Sequence, residues 1–89
     1  MKTTKPKTIT VFGRDIAIEK TDLKGETLGL YHHDDRTIYV DKKLKGRELK
    51  NTIEHERYHA ILALSGLTEF LSEELEEAIV RAFEHALCK

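Results

Sequence analysis

The hydrophobic pattern of this chain changes its period partway along, and this change restricts the folds that the chain can adopt. Between residues 8 and 41, β-branched and aromatic residues recur at every second position in short runs. From Gly46 onward, apolar residues recur at spacings of three, four and seven, as on one face of an α-helix. A strand-like part followed by a helical part is typical of an α+β fold.

Two hairpins are predicted in the strand-like part. The first joins two β-rich runs within residues 8–20 through a turn at Gly13-Arg14. The second joins Leu28–His32 to Thr37–Asp41 through the polar segment HDDR. We therefore predict a small antiparallel sheet of three to four strands.

Two helices are predicted to follow the sheet. The first begins at Gly46 and ends at Ser65-Gly66, since a glycine after the last periodic residue commonly caps a helix. Ser72 is predicted to cap the second helix, because a serine N-cap followed by acidic residues satisfies the free N–H groups and the helix dipole. We expect residues 8–89 to form a single domain and residues 1–7 to be a flexible N-terminus.

The composition excludes several classes of protein. The sequence has fifteen Lys and Arg and sixteen Asp and Glu, which gives a formal net charge of −1. A nucleic-acid-binding domain usually has an excess of basic residues instead. The sequence contains neither an apolar run of membrane-spanning length nor the apolar core of a signal peptide. Its single cysteine, Cys88, suits a reducing compartment, so we predict a cytoplasmic protein that binds neither nucleic acid nor membrane.

The string His55-Glu56-Arg57-Tyr58-His59 lies in the middle of the first predicted helix. Histidines four residues apart share one helix face, so both imidazoles can reach one metal ion. Glu56 projects about 100° away from His55 and can contact a metal-bound water without binding the metal. Zinc lowers the pKa of such a water to about 7, and a neighbouring carboxylate can accept its proton. His55 and His59 are therefore predicted zinc ligands, and Glu56 is the predicted catalytic base.

A catalytic zinc needs a third protein ligand, and the second predicted helix is its natural source. On a helical wheel, Glu76 falls in the apolar arc, between Phe83 and Leu87, where an unpaired carboxylate is costly. We therefore predict Glu76 as the third zinc ligand, with Glu77 and Glu73 as alternatives. Glutamates on the opposite polar arc are expected to be solvated; they are Glu73, Glu74, Glu77 and Glu84.

Other residues near the string are assigned different roles. His32 and His33 are expected in an exposed turn, with a place beside the cleft as the alternative. Tyr58 is expected to pack in the core, and Thr52, one turn before the string, to border the site. His85 lies near the C-terminus of the second helix, where the dipole favours a cation.

The segment TIYVDKKLKGRELKNTIEHERYHAIL, followed by EELEEAIVRAFEHAL, resembles the small zinc metallopeptidase-like proteins of phages and bacteria. These are related to the ImmA/IrrE group within the gluzincins. The resemblance covers approximately residues 28–87 and implies a zincin-like domain. It also implies His55, His59 and a glutamate of the second helix as zinc ligands, with Glu56 as general base.

Two functions are weighed from these observations. The first is a minimal zinc metallopeptidase that hydrolyses a protein or peptide substrate, held along the edge of the sheet by strand addition to Thr37–Asp41. The second is a zinc-stabilised interaction module that binds another protein through the acidic residues 69–77. A metal-free helical interaction module is a third alternative. The sequence makes no prediction about the oligomeric state.

Overall fold

Four β-strands precede two α-helices in the computed structural model, which describes residues 7–25 and 27–87. The strands are β1 (Lys7–Val11), β2 (Arg14–Thr21), β3 (Gly29–His32) and β4 (Thr37–Asp41), and the helices are α1 (Gly46–Leu64) and α2 (Glu73–Leu87). The predicted α+β fold is therefore confirmed. Lys7, predicted to be flexible, is the first residue of β1, whereas residues 1–6 and Cys88 lie outside the described residues.

The sheet is mixed, with the strand order β1-β2-β4-β3. The β1–β2 and β3–β4 pairs are antiparallel, as predicted, but β2 and β4 are parallel, with Ile18 opposite Ile38. The prediction of a wholly antiparallel sheet is wrong at this pair, because the chain after β2 crosses to the outside of the sheet before it forms β3. Since β4 is paired on both sides, Thr37–Asp41 offers no free edge for a peptide, and that prediction is also wrong.

The turn of the first hairpin lies one residue earlier than predicted. Val11 pairs with Arg14, so Phe12 and Gly13 form the two-residue loop. Both have positive φ angles, 53° and 75°, as a type I′ turn requires. The second hairpin turns at residues 33–36, as predicted.

Helix α1 lies between the sheet and α2 and contributes to two hydrophobic clusters. Against the sheet, Ala60 packs with fully buried Ile16, Ile38 and Val40. Against α2, the second cluster contains Tyr58, Leu62 and Val80. The ring of Tyr58 meets that of Phe83 edge-on, with centroids 5.6 Å apart, so the predicted packing role of Tyr58 is confirmed.

Both predicted helix boundaries between α1 and α2 are confirmed. After α1, Gly66 has a φ of 86°, a left-handed conformation that favours glycine. Before α2, the hydroxyl of Ser72 accepts a hydrogen bond from the backbone N–H of Leu75 at 3.1 Å. An additional 3₁₀ helix, Leu67–Phe70, occupies the connection and was not predicted. Among the described residues, no helix combines the length and apolar character that crossing a membrane requires.

Candidate metal centre

The two histidines of the H-E-x-x-H string face α2 from adjacent turns of α1. Their ring centroids are 5.0 Å apart. One potential ligand atom from each of His55, His59 and Glu77 lies within 4.8 Å of the other two. These three side chains are each partly buried. The fold thus brings two imidazoles and one carboxylate together at a spacing that suits a single metal ion.

The carboxylate of Glu77 faces the Nε2 atoms of both rings. Its two oxygens lie 3.5 Å from Nε2 of His55 and 3.0 Å from Nε2 of His59. Two further glutamates contact the opposite side of each ring, at Nδ1. Glu84 lies 2.9 Å from Nδ1 of His55, and Glu76 lies 2.6 Å from Nδ1 of His59. Each imidazole is therefore held between two carboxylates.

This arrangement favours a cation between the two Nε2 atoms and Glu77. A neutral imidazole has one N–H and cannot donate a hydrogen bond from both nitrogens. Glu76, Glu77 and Glu84 concentrate negative charge around only two imidazoles. A divalent ion would bind Nε2 of each ring and reduce this charge, while Nδ1–H donates to the outer carboxylate, the usual support of a metal-bound histidine. Two histidines and a glutamate also form one of the ligand sets of catalytic zinc.

The third-ligand prediction from the sequence was Glu76, with Glu77 and Glu73 as alternatives. The metal-competent group contains Glu77, whereas Glu76 contacts the outer nitrogen of His59. Glu73 is exposed at the first turn of α2. The structure thus places Glu76 beside the centre, in contact with the outer nitrogen of His59.

The expectation that Glu77 and Glu84 are simply solvated is wrong, since both contact the histidine rings. Glu84 was not identified from the sequence as a residue of the site. A usable signal was its spacing, because residues seven apart lie on nearly the same face of a helix, two turns from each other. The packing of α2 against α1 determines which glutamates contact the histidines, since it places Glu84 beside His55 and Glu77 beside both rings.

Glu56 lies on the sheet side of the histidine pair and is only 8% exposed. Burial raises the pKa of its carboxyl above the usual value, and the neighbouring charge of Glu77 acts in the same direction. The charges of His59 and His55, and a hydrogen bond from the backbone N–H of Tyr31, oppose this increase. A buried carboxyl beside the histidines, with a raised pKa, has the properties of a proton acceptor in catalysis.

A pocket of about 330 Å³ adjoins the metal centre, between α1 and the start of β3. Thr52, His55 and Glu56 line it from α1, so the expectation that Thr52 borders the site is confirmed. Gly29 lines it from β3, and a Cβ atom at this position would lie 2.6 Å from Cγ2 of Thr52. The absence of a side chain at Gly29 therefore allows β3 to approach the face of α1 that carries Thr52 and Glu56.

The remaining histidines lie away from the centre. His32 and His33 are exposed at the end of β3 and in the turn after it, as the sequence predicts. Nδ1 of His32 lies 3.2 Å from Asp35, and Nδ1 of His33 lies 2.9 Å from the hydroxyl of Tyr31. His85 is exposed in the last turn of α2.

Comparison of the chain with protein-family models, with curated proteins and with solved structures gives no match. The resemblance to the ImmA/IrrE group therefore stays a prediction from the motif and its surroundings. The geometry of the site is the main basis for assigning a function.

Proposed function

We propose that this protein is a zinc-dependent peptidase in which His55, His59 and Glu77 hold the metal and Glu56 is the general base. The observation that carries the proposal is the convergence of both Nε2 atoms on the carboxylate of Glu77. Glu76 and Glu84 support it, because they fix the histidine rings from the outer side. Three protein ligands would leave the fourth position of a tetrahedral zinc for water, as in catalytic sites.

The donor set favours zinc over harder divalent ions, since imidazole nitrogens bind zinc more readily than calcium or magnesium. Zinc bound by these residues supplies Lewis-acid chemistry, polarising a carbonyl and acidifying a water molecule. Glu56 takes up the proton of the attacking water on its carboxylate and returns it to the amine that leaves. Its burial supports this role, because a carboxylate with little contact to water is a stronger base than an exposed one.

The substrate class follows from the position of β3. Among the described strands this one pairs only with β4, so no strand covers its other edge, where the backbone N–H of Tyr31 donates to Glu56. An extended peptide that adds to this edge can form backbone hydrogen bonds and pass beside the pocket that Gly29 and Glu56 line. Leu28 and Leu30 are exposed near the same edge and would favour apolar side chains in the substrate.

A second candidate function is a zinc-stabilised protein-interaction module. The described residues that line the pocket beside the centre include no Arg, Lys or Tyr that would stabilise an oxyanion. A bound metal would also stabilise a domain with a small core, because its binding energy adds to the free energy of folding. This candidate predicts stoichiometric zinc and no hydrolysis.

The test compares zinc-loaded wild type with Glu56→Gln on a mixture of fluorogenic peptides. We expect both proteins to bind one zinc and the variant to lose roughly a hundredfold or more in rate, as is typical when a general base is removed. Glu54→Gln is the matched control, since Glu54 lies on the same helix and pairs with Arg57. Equal rates in wild type and Glu56→Gln would contradict the proposal, whereas bound zinc without hydrolysis would favour the interaction module.

A further inference from the structure

Charge is separated between the two ends of α1. The basic end includes five exposed cationic residues, and Glu48 is the only acidic residue among residues 42–50; the five are Lys42, Lys43, Lys45, Arg47 and Lys50. At the other end, residues 58–80 contain no lysine or arginine, and three glutamates there are exposed: Glu69, Glu73 and Glu74. The helix between these ends is about 28 Å long, from its 19 residues and a rise of about 1.5 Å each.

The stability of α1 does not account for the charge at its ends. A helix is stabilised by acidic residues at its N-terminus and by cations at its C-terminus. The first turn of α1 contains one acidic residue, Glu48, and its last turn contains no basic residue. Lysines and an arginine surround the N-terminus instead. These exposed cations can therefore contact another molecule.

A groove of about 780 Å³ runs along α1 from Arg47 to Ile61 and reaches Leu87 in the last turn of α2. Arg47, Lys50 and Arg57 line it together with one acid, Glu54, and Ile61 and Leu87 provide apolar surface. Arg57 forms an ion pair with Glu54 at 3.1 Å, whereas Arg47 and Lys50 form no ion pair with a described residue. We call Arg47, Lys50, Arg57, Ile61 and Leu87 the basic groove.

The opposite end of α1 presents apolar side chains among its acidic residues. Phe70, in the 3₁₀ helix, is 83% exposed, and Leu67 and Leu75 beside it are each 50% exposed. An aromatic ring that is exposed to this extent has much apolar surface to bury on a partner. We call Leu67, Glu69, Phe70, Glu73, Glu74 and Leu75 the acidic tip.

We infer that the acidic tip of one copy of this chain docks in the basic groove of a second copy. The two surfaces match in chemistry, since Phe70 can pack on Leu87 while the glutamates approach Arg47 and Lys50. Arg47 and Lys50 lie at the opposite end of α1 from the acidic tip, so these charges do not meet within one molecule. The contact is therefore head-to-tail, and it can add further copies in the same direction.

Sedimentation equilibrium of the purified protein tests the inference. We expect the average mass of the wild type to rise with protein concentration and to fall towards the monomer at high salt, because salt screens the charges. Phe70→Ser removes the tip contact, and Arg47→Glu with Lys50→Glu reverses the charge of the groove. All three residues are exposed, so folding should be preserved, which circular dichroism checks. Phe12→Ser, at an exposed ring in the first hairpin, is the matched control and should associate like the wild type.

Mixing the two variants provides the sharper test. Phe70→Ser alone should be monomeric, and so should the variant with Arg47→Glu and Lys50→Glu. The first still has an intact basic groove, and the second still has an intact acidic tip. Together they should form a one-to-one complex and nothing larger. The inference is overturned if the wild type stays monomeric, if either variant still associates alone, or if the mixture does not pair. A monomeric wild type that binds a short oligonucleotide through Arg47 and Lys50 would assign the basic end to nucleic acid instead.

Discussion

Nδ1 of His59 lies 2.6 Å from a carboxylate oxygen of Glu76, and this contact joins the two helices at the centre of the site. Consecutive residues on a helix differ by about 100° in direction, so Glu77 approaches from a different side. Its carboxylate lies 3.0 Å from Nε2 of the same ring. Two adjacent glutamates thus hold one imidazole from opposite sides, and they are expected to have different functions.

Replacement of these two glutamates should separate the ligand from the orienting residue. Glu76→Gln should weaken zinc binding only a few-fold, because the amide oxygen can still accept a hydrogen bond from Nδ1–H of His59. Glu77→Gln should weaken it more, because a metal ligand is lost. Competition with a zinc indicator measures both, with exposed Glu73→Gln as the control. A larger loss for Glu76→Gln than for Glu77→Gln would restore Glu76 as the ligand.

Glu84 should act on zinc binding through His55 alone. Its carboxylate accepts from Nδ1 at 2.9 Å when Nε2 binds the metal. Glu84→Gln keeps an acceptor oxygen and should stay within a few-fold of the parent affinity, whereas Glu84→Leu should lose roughly 10- to 100-fold. The test is the zinc affinity of both variants, and of each with His55→Ala. In the His55→Ala background, the two substitutions should no longer differ.

Gly29 should not tolerate a side chain. A Cβ atom there would lie 2.6 Å from Cγ2 of Thr52 and 3.2 Å from the backbone oxygen of Tyr39. We expect Gly29→Ala to destabilise the fold by about 1–3 kcal/mol, the usual cost of overpacking, and to displace β3 from Glu56. Urea unfolding measures the first effect, and peptide hydrolysis the second.

Thr52→Ser provides the rescue for this substitution, since it removes the methyl group that the added Cβ atom would meet. The double variant should recover part of the lost free energy of unfolding. The serine variant alone should change stability much less than Gly29→Ala. If Gly29→Ala unfolds at the same urea concentration as the parent, the close approach of β3 to α1 is not required.

Chelation of the metal should lower the melting temperature. Removal of a divalent ion leaves the carboxylates of Glu76, Glu77 and Glu84 to repel one another around the two histidines. A ligand at a hundred times its dissociation constant adds about 2.7 kcal/mol to folding. For a domain of this size, we therefore expect a decrease of about 10 °C or more on removal. Calorimetry with and without chelator measures it, and His59→Ala, which lacks a ligand, should show no such decrease.

The local structure followed from the sequence because its determinants are local. The alternating residues of β1 and β2, the serine cap before Glu73 and the glycine after Ser65 each act within a few residues of chain. The placement of H-E-x-x-H on one helix face is equally local. These elements were therefore predicted close to their observed bounds.

The strand order depends on contacts between distant parts of the chain. Nothing in the residues of β4 distinguishes a strand at the edge from a strand with partners on both sides. Its position follows from the strand order, in which β3, although it precedes β4 in the chain, lies on the outer side of β4. The edge strand beside the candidate site is consequently β3, and only the assembled sheet reveals it.

By itself, the sequence determined an α+β chain in which two histidines share one face of the first helix and several acidic residues lie on the second. Both follow from the sequence because the spacing of residues along a helix sets their direction about its axis. The rotation and alignment of α2 against α1 were decided by tertiary packing, through Val80 and Tyr58 among others. Wheel angles measured on one helix contain no information about where its neighbour lies. For this reason the structure alone distinguishes Glu77, which faces both Nε2 atoms, from Glu76 and Glu84, which hold the rings from behind.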